Sequence, residues 1–224
     1  MYGKINQMSL ITLKADIPAY GGLSIGKWNG KVVMIKGAIP GETVEARIEE
    51  EKKDYCTAAA VAISNPSPDR IEPACKYFGS CGGCRLQYIT YKRQIRLKEE
   101  ILHDCLKRFA RIDKGLSQSI VSDNPWNYRF RGQFKITGGK IGFYREKTRE
   151  VIDIDECPLM AEEVNGHLKK AREMLKDIVA RELHISCGDG AIALIKGSNT
   201  YKEDWNRLMA AFLNSGFSGV FVDL

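Results

Sequence analysis

Leu23-Ser-Ile-Gly-Lys-Trp-Asn-Gly-Lys-Val-Val-Met-Ile35 reads as one hairpin, two short apolar runs flanking Asn29-Gly30. A two-residue hairpin turn places both central residues at positive φ, and Asn-Gly adopts that geometry at little steric cost. Outward from it, strand-like runs lie at 8–13, 43–50 and 55–63, with Pro40-Gly41 and the charge run 49–54 marking further reversals. Five short strands with no helical period between them predict a small antiparallel barrel of the OB type.

After the barrel, Asn65-Pro-Ser-Pro-Asp-Arg-Ile-Glu-Pro73 carries three prolines in nine residues, which forbids a continuous helix or central strand and favours an extended connector. Tyr91, Ile95, Leu102, Leu106 and Phe109 then recur at helical spacing, with Thr90 placed to cap a helix over 90–111. Beyond it, strands are expected at 128–136, 191–196 and 219–224, and helices at 159–182 and 202–213. The fold class is α+β, with a barrel over 1–68, a cysteine-bearing loop over 69–90 and a mixed α/β domain over 91–224. That domain is expected to be incomplete, since the chain stops at its last strand. No internal repeat is evident.

The 224 residues are 44% hydrophobic and 28% charged, an ordinary globular balance, and no run reaches the roughly 18 apolar residues of a membrane span. No secretory signal precedes the barrel, so a cytoplasmic protein is expected. The net charge of +6 is unevenly spread: residues 1–73 are neutral, 74–157 carry +7 and 158–224 carry −1. A local basic excess is the electrostatic footprint of a nucleic-acid partner, although a solvated surface gives the same count.

Seven cysteines in a reducing compartment suggest metal or redox chemistry before disulfides. Cys75-Lys-Tyr-Phe-Gly-Ser-Cys81-Gly-Gly-Cys84 sets three thiols within ten residues, and its glycines permit tight turns around an inorganic core. A cubane needs a fourth thiolate, and Cys157 before Pro158 is the best candidate. Two other readings compete. A four-cysteine zinc site usually comes as two short knuckles, whereas here there is one C-x2-C. A redox pair at Cys81 and Cys84 should follow a βαβ strand, and instead follows the proline connector. Cys56 and Cys105 read as packing residues.

Between Pro125 and Glu150, seven Lys or Arg face two Glu and alternate with aromatic residues. In Tyr128-Arg-Phe-Arg-Gly-Gln-Phe-Lys-Ile136 the strand period sends Tyr128, Phe130, Phe134 and Ile136 to one side and Arg129, Arg131, Gln133 and Lys135 to the other. The second set is the candidate RNA contact: guanidinium groups fork onto phosphate and stack on unpaired bases.

The segment 75–91, the Tyr128-Arg129 strand, Gly142-Phe143-Tyr144 and Ile152-Asp-Ile-Asp-Glu-Cys-Pro-Leu159 together resemble bacterial RNA (uracil-5-)-methyltransferases over nearly the whole chain. Lys36-Gly-Ala-Ile-Pro-Gly-Glu-Thr-Val44 resembles their TRAM domain, an RNA-binding module related to OB barrels. The resemblance implies a 4Fe-4S cluster on Cys75, Cys81, Cys84 and Cys157, with a structural and RNA-handling role. It also implies S-adenosylmethionine as methyl donor, ribosomal rather than transfer RNA as substrate, and a monomer. Such enzymes add a thiolate to C6 of a flipped-out uracil so that C5 can take the methyl group. The family's nucleophile lies in Ser-Cys-Asn-Pro; the nearest string here, Ser186-Cys187-Gly188-Asp189, lacks Asn-Pro and comes early. No strand, glycine loop, helix and acid unit for the donor is found, so no catalytic residue is assigned and the chain is expected to be the catalytically incomplete front part of such an enzyme. The alternative is a free-standing iron-sulfur or zinc RNA-binding protein.

Overall fold

Asn29 and Gly30 take φ of 47° and 79°, and the strands on either side pair antiparallel with Trp28 opposite Lys31, as the turn demands. The computed structural model describes residues 9–197 and 205–224. Its first sheet contains β1 (Leu10–Lys14), β2 (Ile17–Ala19), β3 (Leu23–Trp28), β4 (Lys31–Lys36), β5 (Thr43–Glu51) and β6 (Tyr55–Ile63), in the order β1-β5-β6-β4-β3-β2. The sheet thus has six strands where the sequence predicts five, and β4 and β6 pair parallel rather than antiparallel. The additional strand, β2, is only three residues long and leaves no alternation to read.

β1 and β2 are separated by Ala15 and Asp16 alone, yet they stand at opposite ends of the strand order, so the sheet must curl round to bring its edges together. At the closure the Asp16 N–H donates to the Ile25 carbonyl at 2.8 Å. Gly26 lies so close that a Cβ there would stand 2.3 Å from the Lys14 carbonyl oxygen. Leu13, Val33, Ile35, Val44, Cys56 and Ala58 fill the interior, which fits Cys56 as a packing residue.

Glu42, fully buried, fastens the proline connector to this sheet. Its carboxylate accepts the N–H groups of Ile39 (2.8 Å) and Ser67 (2.9 Å), and Nε (2.8 Å) and Nη2 (2.6 Å) of Arg70. Burial alone would raise its pKa, but Arg70 and the two amides outweigh burial and hold the carboxyl below its ordinary value. Arg70 also donates to the Gly37 carbonyl and lies 4.9 Å from the Tyr88 ring centre, and burial pushes the Tyr88 hydroxyl up to about 12.

Among the described residues, 9–73 and 85–121 form one compact unit; 74–84, 122–197 and 205–224 form the other. In the first, α1 (Tyr91–Cys105) starts at Thr90, whose hydroxyl accepts the Arg93 N–H as its position in the sequence predicts. It runs into a π-helical turn over Leu106–Ala110. Only Leu97 of α1 is buried, and Cys105 is exposed, contrary to its expected packing role.

In the second unit, β7 (Arg131–Thr137), β8 (Lys140–Tyr144), β9 (Val151–Asp153), β10 (Ala180–Cys187), β11 (Ala191–Gly197) and β12 (Gly219–Asp223) form a sheet in the order β12-β11-β10-β7-β8-β9, with β11 and β12 parallel. Val164 and Leu168 of α2 (Glu162–Met174) and Leu208 and Phe212 of α3 (Trp205–Asn214) share one core with Phe134, Leu183 and Ile195. The helix expected over 159–182 is therefore shorter at both ends. Pro158 sits in the turn closed by the Met160 N–H to the Cys157 carbonyl, rather than at a helix start. At the other end, Ala180–Glu182 begin β10, where Leu183 and Ile185 point into the core while Glu182 and His184 point away, the period of two that sheet pairing imposes. The strand expected from 128 begins only at Arg131, because Arg129 pairs with the 159–161 segment instead. Tyr128 and Phe130, predicted to pack, are about half exposed at 52% and 53%. Met8 and residues 202–204 of the expected strand and helix lie outside the described residues. Among the described residues no helix is long and apolar enough to cross a membrane.

Candidate functional site

Cys75, Cys81, Cys84 and Cys157 all belong to the second unit, and hydrogen bonds tie the three-cysteine loop to the segment that carries the fourth. The loop turns at Gly79 (φ 84°), where the Phe78 N–H donates to the Cys75 carbonyl and the Cys81 N–H to the Tyr77 carbonyl. Gly82 then meets the end of β8: its N–H donates to the Tyr144 carbonyl at 3.0 Å. A Cβ at Gly82 would stand 2.9 Å from that oxygen and 3.0 Å from the Glu146 nitrogen, so only glycine fits.

The Tyr77 hydroxyl donates to Asp155 Oδ2 and accepts the Asp155 N–H, each at 3.0 Å, while Lys76 Nζ reaches the same carboxylate oxygen. Two residues on, Asn165 of α2 accepts the Cys157 N–H (2.9 Å) and donates to the Cys157 carbonyl (3.1 Å). The base of this segment is fixed by Arg172, which forks onto both oxygens of Asp153 at 2.7 and 2.8 Å. Sequence reasoning singles out the four thiols as candidates but misses Tyr77, Asp155 and Asn165, because a positioning bond across 78 residues has no local signature.

Burial pushes the Cys81 and Cys157 thiols up. Opposing that, the Gly83 N–H bonds to Cys81 Sγ at 3.4 Å, and the Leu159 and Met160 N–H groups favour the Cys157 thiolate. Each also feels other members of the set: Cys81 feels Cys157 and Cys75, and Cys157 feels Cys84 and Cys75. Among the described residues no group of three or more His, Cys, Asp or Glu side chains is arranged to hold a metal ion. A single tetrahedral zinc would need its sulfurs about 4 Å apart, given Zn–S bonds of about 2.3 Å. An iron-sulfur cubane spreads its four thiolates over its corners and is stabilised by N–H groups directed at sulfur; in this loop the Gly83 N–H is directed at Cys81 Sγ.

The second candidate surface is the sheet face opposite α2 and α3. Register places Lys135, Glu182, Lys196 and Asp223 in one row across β7, β10, β11 and β12. The next rows are Gln133, His184, Leu194 and Phe221, then Arg131, Ser186, Ile192 and Gly219. Glu182 is the hub of the first row: it pairs with Lys135, with His184 Nε2 at 2.8 Å and with Lys196 at 3.7 Å. The Lys135 and His184 contacts hold its carboxyl down at about 2. Lys135 is thus neutralised within the protein, whereas Arg131 and Gln133 are exposed. Arg129 is also exposed, 5.8 Å from the centre of the Tyr128 ring. Glu182, His184 and Phe221 escape sequence reasoning, since the helix expected over 159–182 runs into the start of β10 and only pairing reveals the rows.

Residues 10–61, which make up most of the curled sheet closed at a glycine, match the TRAM domain family model. Over most of its length the chain is homologous to RNA (uracil-C5)-methyltransferases. It is 31% identical over 213 residues to the 23S rRNA (uracil(1939)-C(5))-methyltransferase RlmD of Shewanella amazonensis, covering 90% of this chain and 48% of that protein. It is 40% identical over 178 residues to an uncharacterized RNA methyltransferase of Aquifex aeolicus, covering 79% of this chain and 42% of the relative. A third relative, RlmD of Neisseria lactamica, is 37% identical over 73% of this chain and 38% of its own length. The chain therefore spans less than half the length of these curated relatives. The fold also matches the crystal structure of Pyrococcus abyssi tRNA (uracil-54, C5)-methyltransferase in complex with S-adenosyl-L-homocysteine, with a TM-score of 0.62, 20% identity, and coverage of 94% of this chain and 50% of that one.

Proposed function

We propose that these residues form the RNA-holding, 4Fe-4S-bearing part of an S-adenosylmethionine-dependent ribosomal RNA (uracil-C5)-methyltransferase acting in the cytoplasm. The observation that carries the cluster is the tie between the two cysteine segments: Tyr77 and Asp155 bond reciprocally, while Asn165 fixes the Cys157 backbone. Cys75, Cys81, Cys84 and Cys157 would hold the cluster, which when bound supplies a rigid crosslink between loop and sheet. Ribosomal RNA is favoured over transfer RNA by relatives such as the Shewanella and Neisseria enzymes, whose names specify 23S rRNA.

On this reading the residues present bind and orient RNA. Arg129 and Arg131 meet phosphate, and Gln133 presents an amide to a base edge. Lys135 contributes little, because Glu182 already holds its charge. The chain spans less than half the length of its curated relatives, and on this reading its residues contribute RNA binding to such an enzyme.

The test is iron, sulfide and zinc analysis with a visible spectrum on anaerobically purified protein. About four irons and four sulfides per chain are expected. Colourless protein with one zinc would overturn the cluster and favour the zinc-stabilised RNA-binding reading.

A further inference from the structure

Tyr20 projects from the turn between β2 and β3 with 89% of its surface exposed. The turn beneath it is bonded and closely packed. Gly21 and Gly22 both have positive φ, at 84° and 75°, a conformation that side-chain-bearing residues rarely adopt. Arg85, in the same compact unit, donates from Nη1 to the Gly21 carbonyl at 3.1 Å. A Cβ on Gly22 would stand 3.0 Å from Arg85 Cβ and 3.2 Å from Leu86 Cδ2, so the backbone of the turn rests directly on the 85–86 segment.

The result is an exposed aromatic ring on a turn whose backbone is bonded by Arg85, itself an exposed residue. A tyrosine has few torsions to freeze, and a turn already held by a hydrogen bond and close packing adds less ordering cost on binding. A planar ring next to a cation is the pair that receives an unstacked base and its phosphate. Tyr20 lies within residues 10–61, the segment matched to the TRAM domain.

We infer that Tyr20 is a base-stacking platform for single-stranded RNA, with Arg85 setting the turn and meeting the adjoining phosphate. The inference rests on the RNA-binding reading above and adds a contact on the first unit, separate from the Arg129 and Arg131 face of the second. It predicts selectivity for unpaired over duplex RNA, since a paired base offers no open face to the ring.

The experiment titrates the full 224-residue chain with a short uridine-rich single-stranded RNA carrying one 2-aminopurine, whose fluorescence is quenched on stacking. Tyr20→Ala should weaken binding at least about fivefold and abolish the quench while leaving the salt slope unchanged; Tyr20→Phe should restore both affinity and quench. Arg85→Ala should lower the salt slope by about one. Equal affinity and quench in wild type and Tyr20→Ala would overturn the platform alone, as would loss of affinity in Tyr20→Ala that Tyr20→Phe does not restore. A wild-type chain that binds no RNA would overturn this inference and the RNA-binding reading together.

Discussion

Replacing Glu42 by glutamine tests whether the connector is fastened as the geometry indicates. The wild-type carboxylate is fully buried and meets four donors, two from backbone amides and two from Arg70. An amide keeps the shape but turns an NH2 toward at least one of those donors, and leaves the three-quarters-buried Arg70 guanidinium without its counter-charge. Breaking one partner of a buried pair costs about 3–5 kcal/mol, and because glutamine retains one acceptor the lower end, about 3 kcal/mol, is expected. With a urea dependence of about 1.5 kcal/mol per molar for a unit of this size, the midpoint should fall by about 2 M. Trp28 reports on the first unit if Trp126 and Trp205 are first replaced by phenylalanine. The sign of the pH dependence follows from the depressed pKa of Glu42. Its stabilisation is complete above the unfolded value near 4.5 and is lost as pH falls through the lower folded value, so the deficit of Glu42→Gln should shrink in acid. A midpoint shift under about 0.5 M at pH 7, or a deficit that stays constant down to pH 3, would refute the buried-pair reasoning.

Cys157→Ser should lose or destabilise the cluster, read as iron content and visible absorbance; full retention would place the fourth ligand elsewhere. Tyr77→Phe removes both bonds to Asp155 while keeping the ring, so iron should leave several-fold faster under a chelator, and an unchanged rate would deny that this tie positions Cys157. Arg129→Ala with Arg131→Ala should weaken RNA binding and lower the salt slope by about two; unchanged affinity and slope would remove this face from the interface. Lys135→Ala should barely change RNA affinity, whereas Glu182→Gln should raise it by releasing the Lys135 charge, and a large loss in Lys135→Ala would show that RNA displaces Glu182.

Features written in local chemistry were legible from the sequence. Asn29-Gly30 specifies its turn, Thr90 caps its helix, and the three-thiol loop is visible in ten residues. What was hidden depends on distant partners. Ala180, Arg181 and Glu182 continue the helix-favouring run of 159–182, and only pairing with β7 and β11 makes them the start of the central strand β10. Tyr128 and Phe130 alternate correctly for a strand, but Arg129 finds its backbone partners at 159–161, and the aromatic side chains remain in solvent. Glu42 sits in a Pro-Gly-Glu stretch that reads as a polar turn; its burial depends on Arg70, 28 residues away.

The same division bears on how RNA would be held. Electrostatic contacts act at range and tolerate small displacements, so the exposed Arg129 and Arg131 need little support. Stacking falls off within the thickness of a ring and requires a platform that does not move. At Tyr20 the turn is held by the Arg85 hydrogen bond and by packing on the 85–86 segment, and at the cysteine loop Gly82 admits no side chain. Rigid elements beneath exposed groups are expected where geometry carries the specificity. If Tyr20 supplies stacking and the arginines supply charge, the two sets of substitutions should separate cleanly: one changes affinity at constant salt slope, the other changes the slope itself.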